Sequence, residues 1–219
     1  MNTTCWSLAG TTALAALLPL SGAAQTPADV ATVAAMLEGT IFVVPRTDSV
    51  DGALRGCGLE FATLVRDFAT RQGAPVKTSG SFYIRELNGG LGYMLKLGMF
   101  DDFGPDPVPV APANAFVRAP LGLAPKKAIR VDSDSPGYAL YIGAFDQQLM
   151  AAYQSIIENK QMVVGFNRKA GQSDVLMKID LTVVDTKMVN GEVQRQRSAD
   201  AVDEFRDCAL ALIDSIRKK

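Results

Sequence analysis

The spacing of apolar and polar positions changes along the chain, and each change marks an element. Phe82 and Ile84 alternate with Tyr83 and Arg85, the chain turns at Asn88-Gly89-Gly90, and Leu91, Tyr93, Leu95, Leu97 and Met99 then alternate with Gly92, Met94, Lys96 and Gly98. A period of two on both sides of an Asn-Gly turn predicts an antiparallel hairpin with one apolar face. A second hairpin is predicted from Met162, Val164 and Phe166, through Arg168-Lys169-Ala170-Gly171, to Val175, Met177, Ile179, Leu181 and Val183. Ile41 to Val44 reads as a further strand, stopped by Pro45.

Elsewhere the period lengthens. Val202, Phe205, Ala209, Leu212, Ile213 and Ile216 recur at helical spacing after a capping Ser198, and Arg217, Lys218 and Lys219 suit the negative end of the helix dipole. Leu54, Cys57, Phe61, Leu64, Val65 and Phe68 show the same spacing and predict a helix ending near Gly73. Asp146 caps a third helix with Leu149, Met150, Tyr153, Ile156 and Ile157 as its stripe, and Thr26-Pro27 opens a short one closed by Gly39. Residues 103–125 hold six prolines and no sustained period, which predicts a long surface loop.

Residues 74–101 laid over 119–146 without gaps give ten identities in 28 positions, including Ile84-Arg85 with Ile129-Arg130 and Phe100-Asp101 with Phe145-Asp146. We read this as a duplicated hairpin unit whose copies lie in one sheet. The fold class that follows is α+β: a mainly antiparallel sheet of about six or seven strands, with helices around Cys57, Tyr153 and Cys208 packed largely on one face.

Composition then places the chain. Met1 to Ala28 carries no charged side chain, and the apolar run Leu8 to Leu20 leads into Ser21-Gly22-Ala23-Ala24. That run is too short to cross a bilayer and has the form of a signal peptide over residues 1–24, cleaved between Ala24 and Gln25. Residues 25–219 then form a single domain with no transmembrane segment, in a periplasmic or secreted location. Cleavage removes Cys5 and leaves an even pair, Cys57 and Cys208, in a compartment that favours a disulfide. A bridge between positions so far apart constrains the unfolded chain by about 4 to 5 kcal/mol on a loop-entropy argument. On two predicted helices, it would staple one to the other.

The sequence has no histidine, which removes the usual general base near neutral pH and the commonest zinc ligand. There is no Gly-x-Ser-x-Gly around Ser81, and Asn88-Gly89-Gly90-Leu91-Gly92 precedes a strand where a phosphate loop needs a helix. Asp132-Ser133-Asp134-Ser135 reads as a turn, without the length or terminal Glu of a calcium loop. No catalytic, cofactor-binding or metal-ligating residue is assigned. With 22 basic and 23 acidic residues the chain offers no cationic excess for nucleic acid. Arg85 and Arg130 fall at equivalent repeat positions; with Lys96 and Lys178 they are the candidates for a patch that receives an anionic ligand, against the plainer reading of isolated charges on a wet sheet face.

The expected function is that of an exported, non-enzymatic binding or accessory protein of the cell envelope, contacting an envelope protein through a sheet edge or the proline-rich loop. The alternative is a periplasmic carrier of a small apolar or amphipathic ligand, with Met94, Met99, Met150, Met162 and Met177 lining its cavity. Intact mass of the protein recovered from its source is expected to show a chain that begins at Gln25 and is lighter than its reduced form by the two hydrogens lost to a disulfide. An unprocessed chain with free thiols would contradict both expectations.

Overall fold

Three dipeptides reverse the chain in the same way. Asp51-Gly52, Asn88-Gly89 and Asn190-Gly191 hold φ at 51° and 76°, 51° and 79°, and 52° and 83°. Two successive left-handed residues make the tight turn whose twist matches that of paired strands. The computed structural model describes residues 27–104, 106–119 and 128–218, so the expected signal peptide and its Ala24–Gln25 cleavage site lie outside the described residues. The turns join β1 (Gly39–Val50) to β2 (Ala53–Asp67), β3 (Ala74–Leu87) to β4 (Gly90–Phe100), and, further along, β10 (Val183–Val189) to β11 (Glu192–Arg197). With β6 (Ile129–Asp132) and β7 (Ala139–Ala144), the first four strands build a main sheet in the order β1-β2-β3-β4-β7-β6. A second sheet has the order β5-β8-β9, from β5 (Asn114–Val117), β8 (Gln161–Asn167) and β9 (Val175–Asp180), and β10–β11 stands as a separate hairpin. Every pairing is antiparallel. The helices are α1 (Pro27–Met36), α2 (Gln147–Asn159) and α3 (Asp200–Arg217), and among the described residues no helix is long and apolar enough to cross a membrane. The class is therefore α+β, with the strands divided among three sheets.

The helix expected around Cys57 is a strand. β2 is buried on both faces: Cys57, Leu59 and Phe61 point to one side, and Gly56, Gly58, Ala62 and Leu64 to the other. A central strand buried twice loses its alternation, and a subset of its apolar positions falls at helical spacing by coincidence. The bridge thus ties a helix to a sheet. Cys57 Sγ and Cys208 Sγ are 2.00 Å apart, at disulfide distance, with their Cα atoms separated by 5.8 Å. α3 lies over the core face of β1, β2 and β3 and buries Val202, Phe205, Ala209 and Leu212. Phe205 meets Phe82 of β3 at 6.1 Å and Tyr153 of α2 at 5.9 Å between ring centroids, so α2 and α3 pack together there. Asp146 caps α2 by accepting from the Leu149 amide at 3.0 Å.

Pro45 does not stop its strand. It pairs opposite Leu59 within β1, which is tolerated because β1 is the edge of the main sheet and the missing N–H faces no further strand. The start of that edge is covered by side chains of the β10–β11 hairpin: Thr186 Oγ1 donates to the Ile41 carbonyl at 2.7 Å, and Arg195 donates to the carbonyls of Glu38 at 2.7 Å and Thr40 at 3.2 Å. Part of the proline-rich segment, from Val110 to Val117, is paired into the sheets, where a surface loop was expected. Val110 exchanges both backbone hydrogen bonds with Met99 (2.9 and 2.8 Å), and β5 follows with Ala115 and Val117 buried. Burial pushes the Tyr141 phenol up to about 12, and it donates its proton to the Pro112 carbonyl.

The two similar segments do not form equivalent hairpins. Arg85 pairs with Gly92, whereas Arg130 pairs with Tyr141 and not with Gly137; Ile84 is fully buried and Ile129 is 70% exposed. Replacing both Cys57 and Cys208 by Ala is expected to lower the stability measured by urea unfolding by about 2 to 5 kcal/mol, since it frees a long loop of the unfolded chain. An unchanged midpoint would show that the clasp is not formed in solution.

Candidate functional site

β2 ends at a buried charge. Asp67 has no exposed surface, and its carboxylate accepts from the Thr70 amide at 2.8 Å, the Thr70 hydroxyl at 2.6 Å and Arg168 Nε at 2.7 Å. Arg168, from the turn after β8, also forks onto Asp101 with two contacts of 2.7 Å, and Arg71 adds a third at 2.8 Å. Burial alone would push the Asp67 carboxyl up, but the hydrogen bonds from Thr70 and Arg168 together hold it below its ordinary value. The network joins the end of β2, the end of β4 and the turn after β8. With Thr78 Oγ1 3.0 Å from Met177 Sδ in the core, it fixes the second sheet against the main one.

The outward face of the second sheet is set by register. Arg118 N donates to the Val163 carbonyl at 2.8 Å and Val163 pairs with Lys178, so Arg118, Val163 and Lys178 form one cross-strand row. The next row is Phe116, Gly165 and Leu176. Gly165 leaves room for the Phe116 ring to lie across β8, since a Cβ there would stand 2.4 Å from it. A cleft of about 570 Å³ opens against this face, lined by Arg118, Val163, Leu176 and Lys178 from the second sheet and by Ile156 and Ser155 from α2. Its remaining lining includes Leu64, Val65, Arg66 and Phe68 at the end of β2, with Glu38. Phe68 is 74% exposed and Leu176 45% exposed, large apolar groups offered to solvent at the cleft. Arg66 is engaged by Glu38 at 2.9 Å, whereas Arg118 and Lys178 have no ion pair among the described residues. Glu38, the one carboxylate among the described lining residues, is thus paired with Arg66.

The four cations singled out in the sequence do not meet. Arg85 and Lys96 lie on the outer face of the main sheet, where Arg85 pairs with Asp48 at 3.2 Å and Lys96 with Asp134 at 3.2 Å. Arg130 shares the side of buried Tyr141, facing the other way, and pairs with Asp132 at 3.1 Å. Lys178 alone of the four reaches the cleft. The assumed equivalence of Arg85 and Arg130 failed with the register difference between the hairpins. The methionines also scatter: Met99, Met162 and Met177 are core, Met150 is 42% exposed, and Met162 is the one that borders the cleft. Arg118, Phe68 and Leu176 were not foreseen. The signal for Arg118 was present in the alternation of Ala115, Val117 and Ala119 with Phe116 and Arg118, obscured by the prolines around it.

Among the described residues, no group of three or more His, Cys, Asp or Glu side chains is placed to hold a metal ion. Comparison with known proteins finds no matching family model, no similar curated protein and no similar solved structure.

The Asp67 network sets a pH dependence. A carboxyl held below its unfolded value near 3.9 contributes stability above that pH and loses the contribution as pH falls through its depressed folded value. Asp67→Asn is expected to cost about 2 to 3 kcal/mol at pH 7, less than stranding a buried charge outright because Asp101 still holds Arg168. In urea unfolding below about pH 4, the variant should lose less stability than the unaltered protein. Parallel pH profiles would show that Asp67 carries no such linkage.

Proposed function

We propose that this is an exported, non-enzymatic binding protein of the cell envelope that holds a small ligand in the cleft beside the second sheet. The observation that carries the reading is the composition of that cleft: several hundred cubic ångströms walled by Val163, Leu176, Leu64 and Phe68, with a few polar groups placed among them. Apolar walls give such a ligand its affinity, and sparse polar groups give it orientation. The absence of histidine from the sequence and the engagement of Glu38 by Arg66 support a site that holds its ligand without proton transfer. The expected export rests on the N-terminal pattern, and the disulfide-distance cysteine pair accords with it.

A second reading, docking of an envelope protein along a sheet edge, is favoured by β6. It is the far edge of the main sheet, and Ile129 and Val131 are both exposed on it. Native mass spectrometry of the protein purified from its source separates the two. A bound small molecule that is lost in Leu176→Asp is the expected result. A ligand-free mass in both proteins, with a stoichiometric polypeptide lost on Ile129→Lys, would replace the cleft reading with the edge reading.

A further inference from the structure

The row Arg118–Val163–Lys178 places two cations on either side of one valine, two strand spacings or roughly 10 Å apart. Like charges on one sheet face repel, and the cations on the neighbouring surfaces are paired with carboxylates: Arg66 with Glu38, Arg85 with Asp48, Lys96 with Asp134, Arg130 with Asp132, Arg168 with Asp67 and Asp101. Arg118 and Lys178 are exposed, face the cleft and have no acidic partner among the described residues. The nearest carboxylate along their own strands, Asp180, is occupied by Arg197 and Thr182. Beside the charged row the surface becomes apolar, at Leu176 and then at Phe68.

Resting on the cleft reading above, we infer that the ligand is a single-chain amphipathic anion. Its carboxylate or phosphate head lies between Arg118 and Lys178, and its apolar chain lies along Val163, Leu176 and Phe68. Arg118 offers a planar fork that matches either head group, and Lys178 offers a point charge from the other side. A cleft of about 570 Å³ suits one chain of modest length and leaves the head near water, where two exposed cations can be neutralised without the cost of deep burial. The face charge and the apolar wall are then two halves of one recognition surface.

The test is calorimetric titration of the disulfide-bonded protein with decanoate, decyl phosphate and decanol, and with vesicles of anionic phospholipid. The expected result is saturable binding of one or both anions, at least tenfold weaker binding of decanol, and weakening of the anions alone by added salt. The double substitution Arg118→Ala, Lys178→Ala should weaken the anions about tenfold or more and leave decanol unchanged. Both side chains are exposed, and a circular dichroism melt confirms that the variant is folded. Equal affinity for decanol and decanoate, indifferent to the double substitution but lost in Leu176→Asp, overturns the charge assignment while the cleft reading stands. Absence of binding by all three decyl compounds overturns both. Binding to vesicles alone, abolished by the double substitution, replaces the single-chain ligand with a membrane surface. Of the two head groups, the one bound more tightly identifies the anion.

Discussion

The carboxylate of Asp67 sits where water does not reach, and a charge there costs several kcal/mol unless it is fully partnered. Its oxygens accept from a backbone amide, a hydroxyl and a guanidinium, and that guanidinium comes from the turn after β8, 101 residues further along the chain. Arg168 is held in turn by Asp101 at the end of β4. The second sheet therefore has one position against the main sheet in which this charge is satisfied, and any slip would strand it. Apolar contact between sheets is non-directional, whereas this network is not. The cleft is bordered by the residues on either side of Asp67, Arg66 and Phe68, and by the face of the second sheet that Arg168 helps to place.

A second constraint works at the opposite end of β2. The Cys57–Cys208 pair holds α3 against the middle of the main sheet, where Phe205 meets Phe82 and Tyr153. The edges are managed differently. At β1 the carbonyls of residues 38, 40 and 41 accept from Arg195 and Thr186 of a separate hairpin, a way of satisfying an edge with side chains where no strand is added. At the far side β6 (Ile129–Asp132) is the edge strand, with no strand paired beyond it among the described residues. α2, α3 and the second sheet pack on the core face of the main sheet, and the proposed binding surface lies on the second sheet's opposite face.

Periodicity and turn chemistry carried much of the fold. The β3–β4 and β8–β9 hairpins and the helices α2 and α3 follow from alternation, from Asn88-Gly89, from the Asp146 cap and from the stripe around Phe205, all of which are local. The β10–β11 hairpin had an equally local signal in Asn190-Gly191, but its strands face mostly outward and carry too few apolar residues to show a period. β2 failed for the opposite reason. Burial on both sides fills both sets of alternating positions, and the pattern that distinguishes strand from helix disappears.

What the sequence alone determined is therefore the class of local element wherever one face is wet and one dry, together with the pairing expected of Cys57 and Cys208, which the structure places at disulfide distance. The tertiary structure decided which charges lie together. Arg85, Arg130, Lys96 and Lys178 were grouped by residue type and repeat position, and the sheets dispersed them, because strand order and register are set by contacts far apart in the chain. The same long-range pairing brought Arg118, Val163 and Lys178 into one row from segments 45 and 15 residues apart. No local pattern encodes that meeting, since it depends on the register of β5 against β8 and of β8 against β9, and on the buried ion pair that seats them.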